Sequence, residues 1–368
     1  MHVERLVPSL ESAYDEFSLR HPTSTLFQSL RYRAFLGKII EPVGVSSRTT
    51  EEHYLVAVDA DRVVGALPAF IKRNATYGNV VNSLPFVGSN GGVLVDPSVE
   101  DPQKVYHALL GSFHELCASV DAVSSTIINR PLDPDDAFYD AHSEFTATDE
   151  RIGQVTPLPA TPASADDDAI DKAIMAMIHQ KTRNVIRKAI GSDVSVSHSG
   201  DEAVLRRLHD IHHENMTAIG APAKPWAVFE AIRDEFRYDD DYRVYVAERE
   251  GAVIAGLLVF FVNRVAEYFI PVTVSESRIF QPQSLLCLRA MREARRRGCT
   301  HWNWGGTSKD QTGVYGFKSR WGTLDLPYRY FVRERKPALR SLSGKTLLTE
   351  YPYFYTVPFA LLNAQDRA

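Results

Sequence analysis

The sequence predicts a mixed α/β protein made of two similar domains, and three observations carry that expectation. A strand–turn–strand pattern occurs twice: LVAVDADRVVGALPAFIKR over 55–73 and YVAEREGAVIAGLLVFFVN over 245–263. Each copy is followed by a further strand, an amphipathic helix and a return strand. Between the copies lies PLPATPASADDD, 157–168, whose prolines, small residues and acids bury little surface and read as a linker. The expected boundaries are therefore 1–156 for the first domain, 169–336 for the second, and an aromatic tail over 337–368.

Each element has its own signal. Both copies begin with an apolar strand ending in Val-Ala, a charged tight turn (Asp59 to Arg62; Glu248 to Gly251) and a β-branched strand broken by Gly65 or Gly256. Two copies of one pattern indicate a duplicated fold. In the first half, Val80 to Phe86 is followed by SNGG and the strand-like GVLVDP, a helix from about 103 to 118, and a return strand over 123–128. In the second half, Glu267 to Val272 forms a strand and Pro282 opens a helix with Leu285, Leu288 and Met291 on one stripe. Arg295 to Arg297 complement that helix's dipole and Gly298 closes it; the chain returns as a strand over Thr300 to Trp304. Alternating strands and helices of this kind build a mixed sheet with helices on its faces.

Composition narrows the function. The 368 residues suit about two cores, and 44% apolar residues can fill them. A net charge of −5 gives no global attraction to nucleic acid, and DNA is not expected as a partner, although a local basic face could serve phosphates. Cys117, Cys287 and Cys299 are an odd set without CxxC spacing, which speaks against a disulfide framework or a structural zinc site and fits a reducing cytoplasm. The first residues are charged where a leader needs an apolar run, and no stretch approaches the ~20 apolar residues of a membrane span. A cytoplasmic location is the expectation.

The chemistry concentrates in HWNWGGTSKDQTGVYGFKSRWGT, 301–323. Trp302 and Trp304 alternate onto one face of the return strand, where large aromatics pack as core, with His301 and Asn303 on the other. Gly305 and Gly306 release the chain at the carboxyl end of a strand, where α/β sheets place ligands, or simply make a turn. Tyr315, Phe317 and Lys318 follow in a loop-to-strand segment in which alternation buries one of Phe317 and Lys318 and exposes the other. Lys318 beside an aromatic wall can stabilise an oxyanion or grip a phosphate; standing alone it reads as a solvated surface lysine. Tyr315 can hydrogen-bond a leaving group or an acceptor, or merely pack. Asp310 is the nearest acid able to take a proton from an amine, against the ordinary reading of a turn cap.

A helix over 171–190 carries Ile174, Ile178, Val185 and Ala189 on its apolar stripe and Lys181, Arg183, Arg187 and Lys188 elsewhere. Arg183 and Arg187 repel at their spacing of four, so an anion could offset them; the bland alternative is a solvated face complemented by Asp166 to Asp168. Glu267 and Tyr268, on the strand before the gapped loop, line a cleft or are buried. SNGG, 89–92, either approaches a substrate closely or turns a hairpin. His209 and His213 share a helical face, but no acid or cysteine cluster supports a metal there, and none is expected. The tail, rich in Tyr, Phe and Leu, packs across the two domains or meets a membrane surface.

Four segments together resemble the FemAB-like branch of the GNAT N-acyltransferase superfamily: STLFQSLRYRAFL (24–36), KTRNVIRKA (181–189), PQSLLCLRAM (282–291) and NWGGTSKDQTGVYGFKSRWG (303–322). The resemblance implies two tandem GNAT-like domains and transfer of an acyl or aminoacyl group to an amine, with no bound cofactor. It places Lys318 on the family's functional lysine. The implied co-substrate is aminoacyl-tRNA or an acyl-CoA, and the implied acceptor a small-molecule or peptide-like amine such as a cell-envelope precursor. Two departures keep the donor open. The long coiled-coil arm of tRNA-using relatives is absent between 192 and 243, and TVSESRIFQPQS, before the 282 helix, has none of the glycines that cradle a CoA pyrophosphate. A non-catalytic binding protein that keeps the duplicated fold is the alternative.

Overall fold

A computed structural model describes residues 1–40, 49–86, 88–132, 136–141, 144–162, 164–307 and 311–362. In its first part the chain forms β1 (His2–Arg5), α1 (Glu11–Arg20), α2 (Leu30–Ile39), β2 (Thr50–Glu52), β3 (Leu55–Asp59), β4 (Arg62–Leu67), β5 (Phe70–Lys72), β6 (Asn79–Asn82), β7 (Leu94–Val95), α3 (Pro102–Ser119), β8 (Ala122–Ile128) and α4 (Asp136–Asp140). Then follow β9 (Ala147–Pro157), α5 (Asp167–Met177), α6 (Gln180–Ile190), β10 (Ser195–His198), α7 (Glu202–Ala218), α8 (Trp226–Glu235), β11 (Tyr242–Arg249), β12 (Ala252–Val262) and β13 (Val265–Thr273). The last are α9 (Pro282–Arg296), β14 (His301–Thr307), α10 (Thr312–Ser319), β15 (Leu324–Glu334) and α11 (Gly344–Glu350).

These elements form two compact units, residues 1–151 with 327–368, and residues 152–326. The chain thus changes unit within β9 and returns within β15, not at the expected 157–168 and 336. The acid-rich segment after Pro157 stays inside the second unit: Leu158 is buried in its core and its N–H donates to Thr300 O at 2.8 Å. The tail belongs to the first unit, where Tyr351 OH donates to Gly78 O and Tyr355 N–H to Asn82 Oδ1, both at 2.7 Å.

The second unit's strands run β10-β11-β12-β13-β14-β9, with β13 and β14 parallel and every other pair antiparallel. One face packs Ala247, Leu257, Val259, Ala266, Trp302 and Trp304 against α5, α6 and α9. Gly256 alternates with Leu257 and so faces the opposite side, where a Cβ would stand 2.2 Å from Leu208 of α7. Helix α9 begins with Pro282 and ends before Gly298 at φ +81°, with Cys299 N–H donating back to Ala294 O.

In the first unit, β1-β3-β4-β7 form one sheet, and β8, β6, β5 and β2 continue from the part of β15 that belongs to this unit, with β6 and β8 parallel. The hairpins of the two units match in sequence but not in the place of their glycine. Gly65 lies opposite Ala57, whereas Gly256 lies opposite Val246, one residue before the equivalent Ala247. The single-residue offset sends the two glycines to opposite sheet faces, and Gly65 accommodates Val105 of α3, whose Cγ1 is 2.5 Å from the Cβ position. No helix among the described residues is long and apolar enough to cross a membrane.

Candidate active site

The second unit's sheet forks. β13 and β14 are laddered only from Val265 to Glu267 and from His301 to Asn303; beyond that pair β13 stays with β12, and β14 with β9. Both strands carry a β-bulge next to the fork, and such bulges re-aim side chains where a sheet must open. The bulge of β14 falls at Trp304 and Gly305, opposite Gln154. Gly305 sits at φ +75° with its N–H on Asn303 Oδ1 at 2.9 Å, and Gly306 opposes Gly153. Gly305 and Gly306 therefore do not end the strand in a turn, as expected from sequence; they kink it and let it run on to Thr307.

The segment holding Tyr315, Phe317 and Lys318 is a helix, α10, and not the expected loop leading into a strand. Two glycines make it a weak helix by propensity. Tertiary contacts hold it: Phe317 packs edge-on against Trp304 at 5.9 Å and reaches Trp321, and Lys318 folds inward. Of the neighbouring pair it is the lysine that is buried, 6% exposed, while Phe317 is half-buried. Lys318 Nζ donates to Thr307 Oγ1 at 2.9 Å and to Gly306 O at 3.3 Å, both neutral acceptors. Burial alone lowers its pKa from the ordinary lysine value to about 8. The contacts continue past the lysine. Thr307 Oγ1 donates to Gln154 Oε1 at 3.1 Å, Gln154 Nε2 to Asp325 Oδ1 at 3.5 Å, and Tyr315 OH to Asp325 Oδ2 at 2.5 Å.

Thr156 Oγ1 accepts from Trp304 Nε1, so Thr156, and with it Gln154 two residues away, lies on the tryptophan face, and Lys318 with them. Tyr268 shares that face, its ring 4.9 Å from Trp304 and its hydroxyl accepting from Gln283 Nε2 of α9. Glu267 does not. It pairs with Asn303 on the opposite face, fully buried, and burial raises its carboxyl to about 8 while its hydrogen bond with Asn303 pulls the other way. Burial thus favours the protonated form of Glu267. The structure thus gathers Lys318, Phe317, Tyr268 and the kink at Gly305 and Gly306 on one side of the fork, with Tyr315 tied to them through Asp325, and puts Glu267 on the other. Asp310 lies outside the described residues.

The expected helix over 171–190 is two helices, α5 and α6, because Ile178 turns extended (ψ 158°) to bury its side chain and His179 caps α6, its Nδ1 accepting from Lys181 N–H. Ile186, not Val185, is the buried member of the stripe. Lys181, Arg187 and Lys188 are exposed and Arg183 half-buried. Their side-chain bonds go to neutral groups: Arg183 to Gln180 and Met175 O, Arg187 to Asn184. Of the acids expected to complement them, Asp166 caps α5 and Asp167 pairs with Arg292 and Arg296; Asp171, further along α5, pairs with Arg289. The basic face of α6 therefore has no carboxylate partner among the described residues. It starts beside the Lys318 helix, with His179 N–H on Arg320 O at 2.8 Å.

Three other candidates resolve differently. SNGG lies in the first unit's counterpart of the fork and fills it. The β6–β8 ladder ends at Asn82 and Thr126; Ser83 Oγ then accepts from Ile128 N–H, Gly91 N–H donates to Ile128 O, and a Cβ on Gly92 would stand 2.6 Å from Asn129 Oδ1. His209 packs against Trp226 and Phe229, and no group of three metal-ligating side chains occurs among the described residues. The gapped loop before α9 is a 3-10 turn over Ser275–Phe280 followed by Gln281 at φ +58°.

Residues 165–319 match the family described as acetyltransferase (GNAT) domain. The segment is a GNAT domain. Two curated proteins named lipid II:glycine glycyltransferase, from two strains of Staphylococcus epidermidis, are 28% identical over 125 residues, 27% of this chain. The chain covers 30% of the length of those relatives. The crystal structure of FemX superposes with a TM-score of 0.68 at 16% identity, over 90% of this chain and 96% of that one. The structure titled L-PGS from Bacillus licheniformis gives a TM-score of 0.54 at 10% identity, over 94% and 96%. Together the GNAT match, the glycyltransferase similarity and the fold shared with FemX support the FemAB-like branch. Gln154, Thr307, Asp325 and Gln283 were not singled out in the sequence: Thr307 lies inside the 301–323 segment and Asp325 just beyond it, but no short-range pattern joins either of them to Gln154.

Proposed function

We infer that the protein is an N-acyltransferase that moves an acyl or aminoacyl group from an activated carrier to an amine, using the Lys318 side of the second unit's fork. The observation that carries the reading is a buried lysine with only neutral oxygens as partners among the described residues, standing where the sheet opens beside an aromatic wall. Such a cation is unsatisfied until negative charge arrives. In acyl transfer the amine's lone pair forms the C–N bond and the carbonyl π electrons move to oxygen, so an oxyanion develops. Collapse then expels the carrier's oxygen or sulfur, and the proton lost by the amine neutralises that leaving group. The ammonium of Lys318 stabilises the oxyanion, Phe317 and Tyr268 wall the acyl group, and the kink at Gly305 and Gly306 lets the backbone come close.

The cations of α6 serve the anionic part of a substrate: Lys181, Arg183 and Arg187 bind phosphates of a nucleotide-linked carrier or a lipid-linked acceptor. The similarity to a lipid II:glycine glycyltransferase supports a cell-envelope amine as acceptor. For a lipid-linked acceptor, Leu348, Phe359 and Leu361, exposed on the tail, supply apolar contact with the bilayer surface. Aminoacyl-tRNA and acyl-CoA both satisfy the chemistry.

The test is a donor screen. Purified protein and cell extract are incubated with radiolabelled aminoacyl-tRNA or acyl-CoA pools, and label in an amide product is counted for the native chain and Lys318→Met. One pool should yield label, with a loss of about 100-fold or more in kcat for the variant. Undiminished transfer by Lys318→Met, or transfer from neither pool, overturns the reading.

A further inference from the structure

The buried contacts behind Lys318 have a defined direction. A threonine hydroxyl can rotate and either donate or accept. Here Gln154 Oε1 takes the hydroxyl proton of Thr307, so the lone pairs of Oγ1 face Lys318 Nζ. The orientation of the Gln154 amide is set in turn by Asp325, which accepts from Nε2 with one oxygen and from Tyr315 OH with the other. Gln154 and Thr307 are 0% and 1% exposed, so water does not compete for these bonds. Of the three N–H groups of the ammonium, one goes to Thr307 and one to Gly306 O; among the described residues the third has no partner and is left for a substrate oxygen.

We propose that Gln154 and Thr307 are positioning residues for Lys318: the Gln154 amide locks the Thr307 hydroxyl as an acceptor, which holds the ammonium charged and aims its remaining N–H into the fork. Neither residue touches the reacting atoms; both act through the lysine. Among the described residues, Asp325 and Tyr315 are the titratable groups at the far end of the chain of bonds, Tyr268 stands on the facing strand β13, and Cys287 of α9 lies beside Tyr268. The inference rests on the reading of Lys318 as the working cation.

The experiment follows the protonation of Lys318 directly, without turnover. Protein carrying carbon-13 at lysine Cε is titrated by NMR, the Lys318 signal being assigned by its loss in Lys318→Met and the exposed Lys181 serving as internal control. Thr307→Val removes the acceptor at nearly constant shape and should lower the Lys318 midpoint by about one pH unit, a tenfold shift in its protonation equilibrium, because a hydrogen bond to the charged form is lost. Gln154→Leu should lower it in the same direction, and Thr307→Ser, which keeps the hydroxyl, should restore the native midpoint. The Lys181 midpoint should stay put throughout. Midpoints for Thr307→Val and Gln154→Leu equal to that of the native chain overturn the proposal. That failure is separate from failure of the transfer reading, which is judged by whether Lys318→Met still transfers label.

Discussion

At the scale of single residues, Lys318 is where the proposed function and stability oppose each other. Its pKa falls to about 8 on burial, so between pH 8 and the ordinary lysine range the unfolded chain binds more protons than the folded one. Stability therefore rises with pH across that window, and the penalty is fully present below it. The full penalty is roughly 3 kcal/mol, offset in part by the hydrogen bonds to Thr307 and Gly306. Lys318→Met should thus stabilise the protein by about 1–3 kcal/mol at pH 7, with the gain fading towards pH 10, while transfer is lost. Urea unfolding of both proteins at the two pH values decides it; a variant that is less stable at pH 7 would show that the lysine is held without strain. Glu267 behaves in the mirror sense, since burial favours its neutral form against the pull of its hydrogen bond with Asn303.

Among the elements, α6 differs from its neighbours in how its charge is balanced. The arginines of α9 meet the acids of α5 in a ladder of ion pairs, whereas Lys181, Arg183, Arg187 and Lys188 meet none among the described residues. Like charges one helical turn apart cost a few tenths of a kcal/mol each, a debt an anionic ligand removes. Exposed cations of this kind bind phosphates in a salt-dependent way. The double variant Arg187→Glu, Lys188→Glu should weaken binding of a phosphate-bearing donor at least tenfold at low salt and flatten the salt dependence, with thermal stability nearly unchanged. Fluorescence titration with labelled tRNA and with CoA at two salt concentrations measures this, and affinity indifferent to the reversal removes α6 from the site. Sequence periodicity revealed the basic face of α6. It could not reveal the break at Ile178, because Ile178 fits a helical stripe equally well whether or not the backbone bends to bury it.

Across the whole molecule the two units share an arrangement of strands and helix but not a usable fork. In the second unit β13 and β14 part after Glu267 and Asn303; in the first, residues 83–86 and 88–92 occupy the corresponding space, with Ser83 and Gly91 bonded to Ile128. One chain should consequently bind one equivalent of acyl carrier. Equilibrium dialysis with labelled acetyl-CoA or a stable aminoacyl-tRNA analogue, whichever the donor screen selects, should saturate at one per chain; two equivalents would show that the glycine segment opens.

The amino-acid sequence by itself determined what depends on short-range pattern: the repeated hairpins, the helix from Pro282 to its glycine stop, and the buried tryptophan pair. Each follows from spacing within a window of about twenty residues, where alternation or a helical stripe states which face must leave water. Only the tertiary structure decided the state of Lys318. Its burial depends on a helix that local propensity disfavours, and its contacts join residues 153 and 171 positions apart, Thr307 with Gln154 and Gln154 with Asp325. Polar side chains carry no periodic signal of their partners; a buried lysine becomes a chemical group only when distant strands close around it and exclude the solvent that would otherwise level its charge.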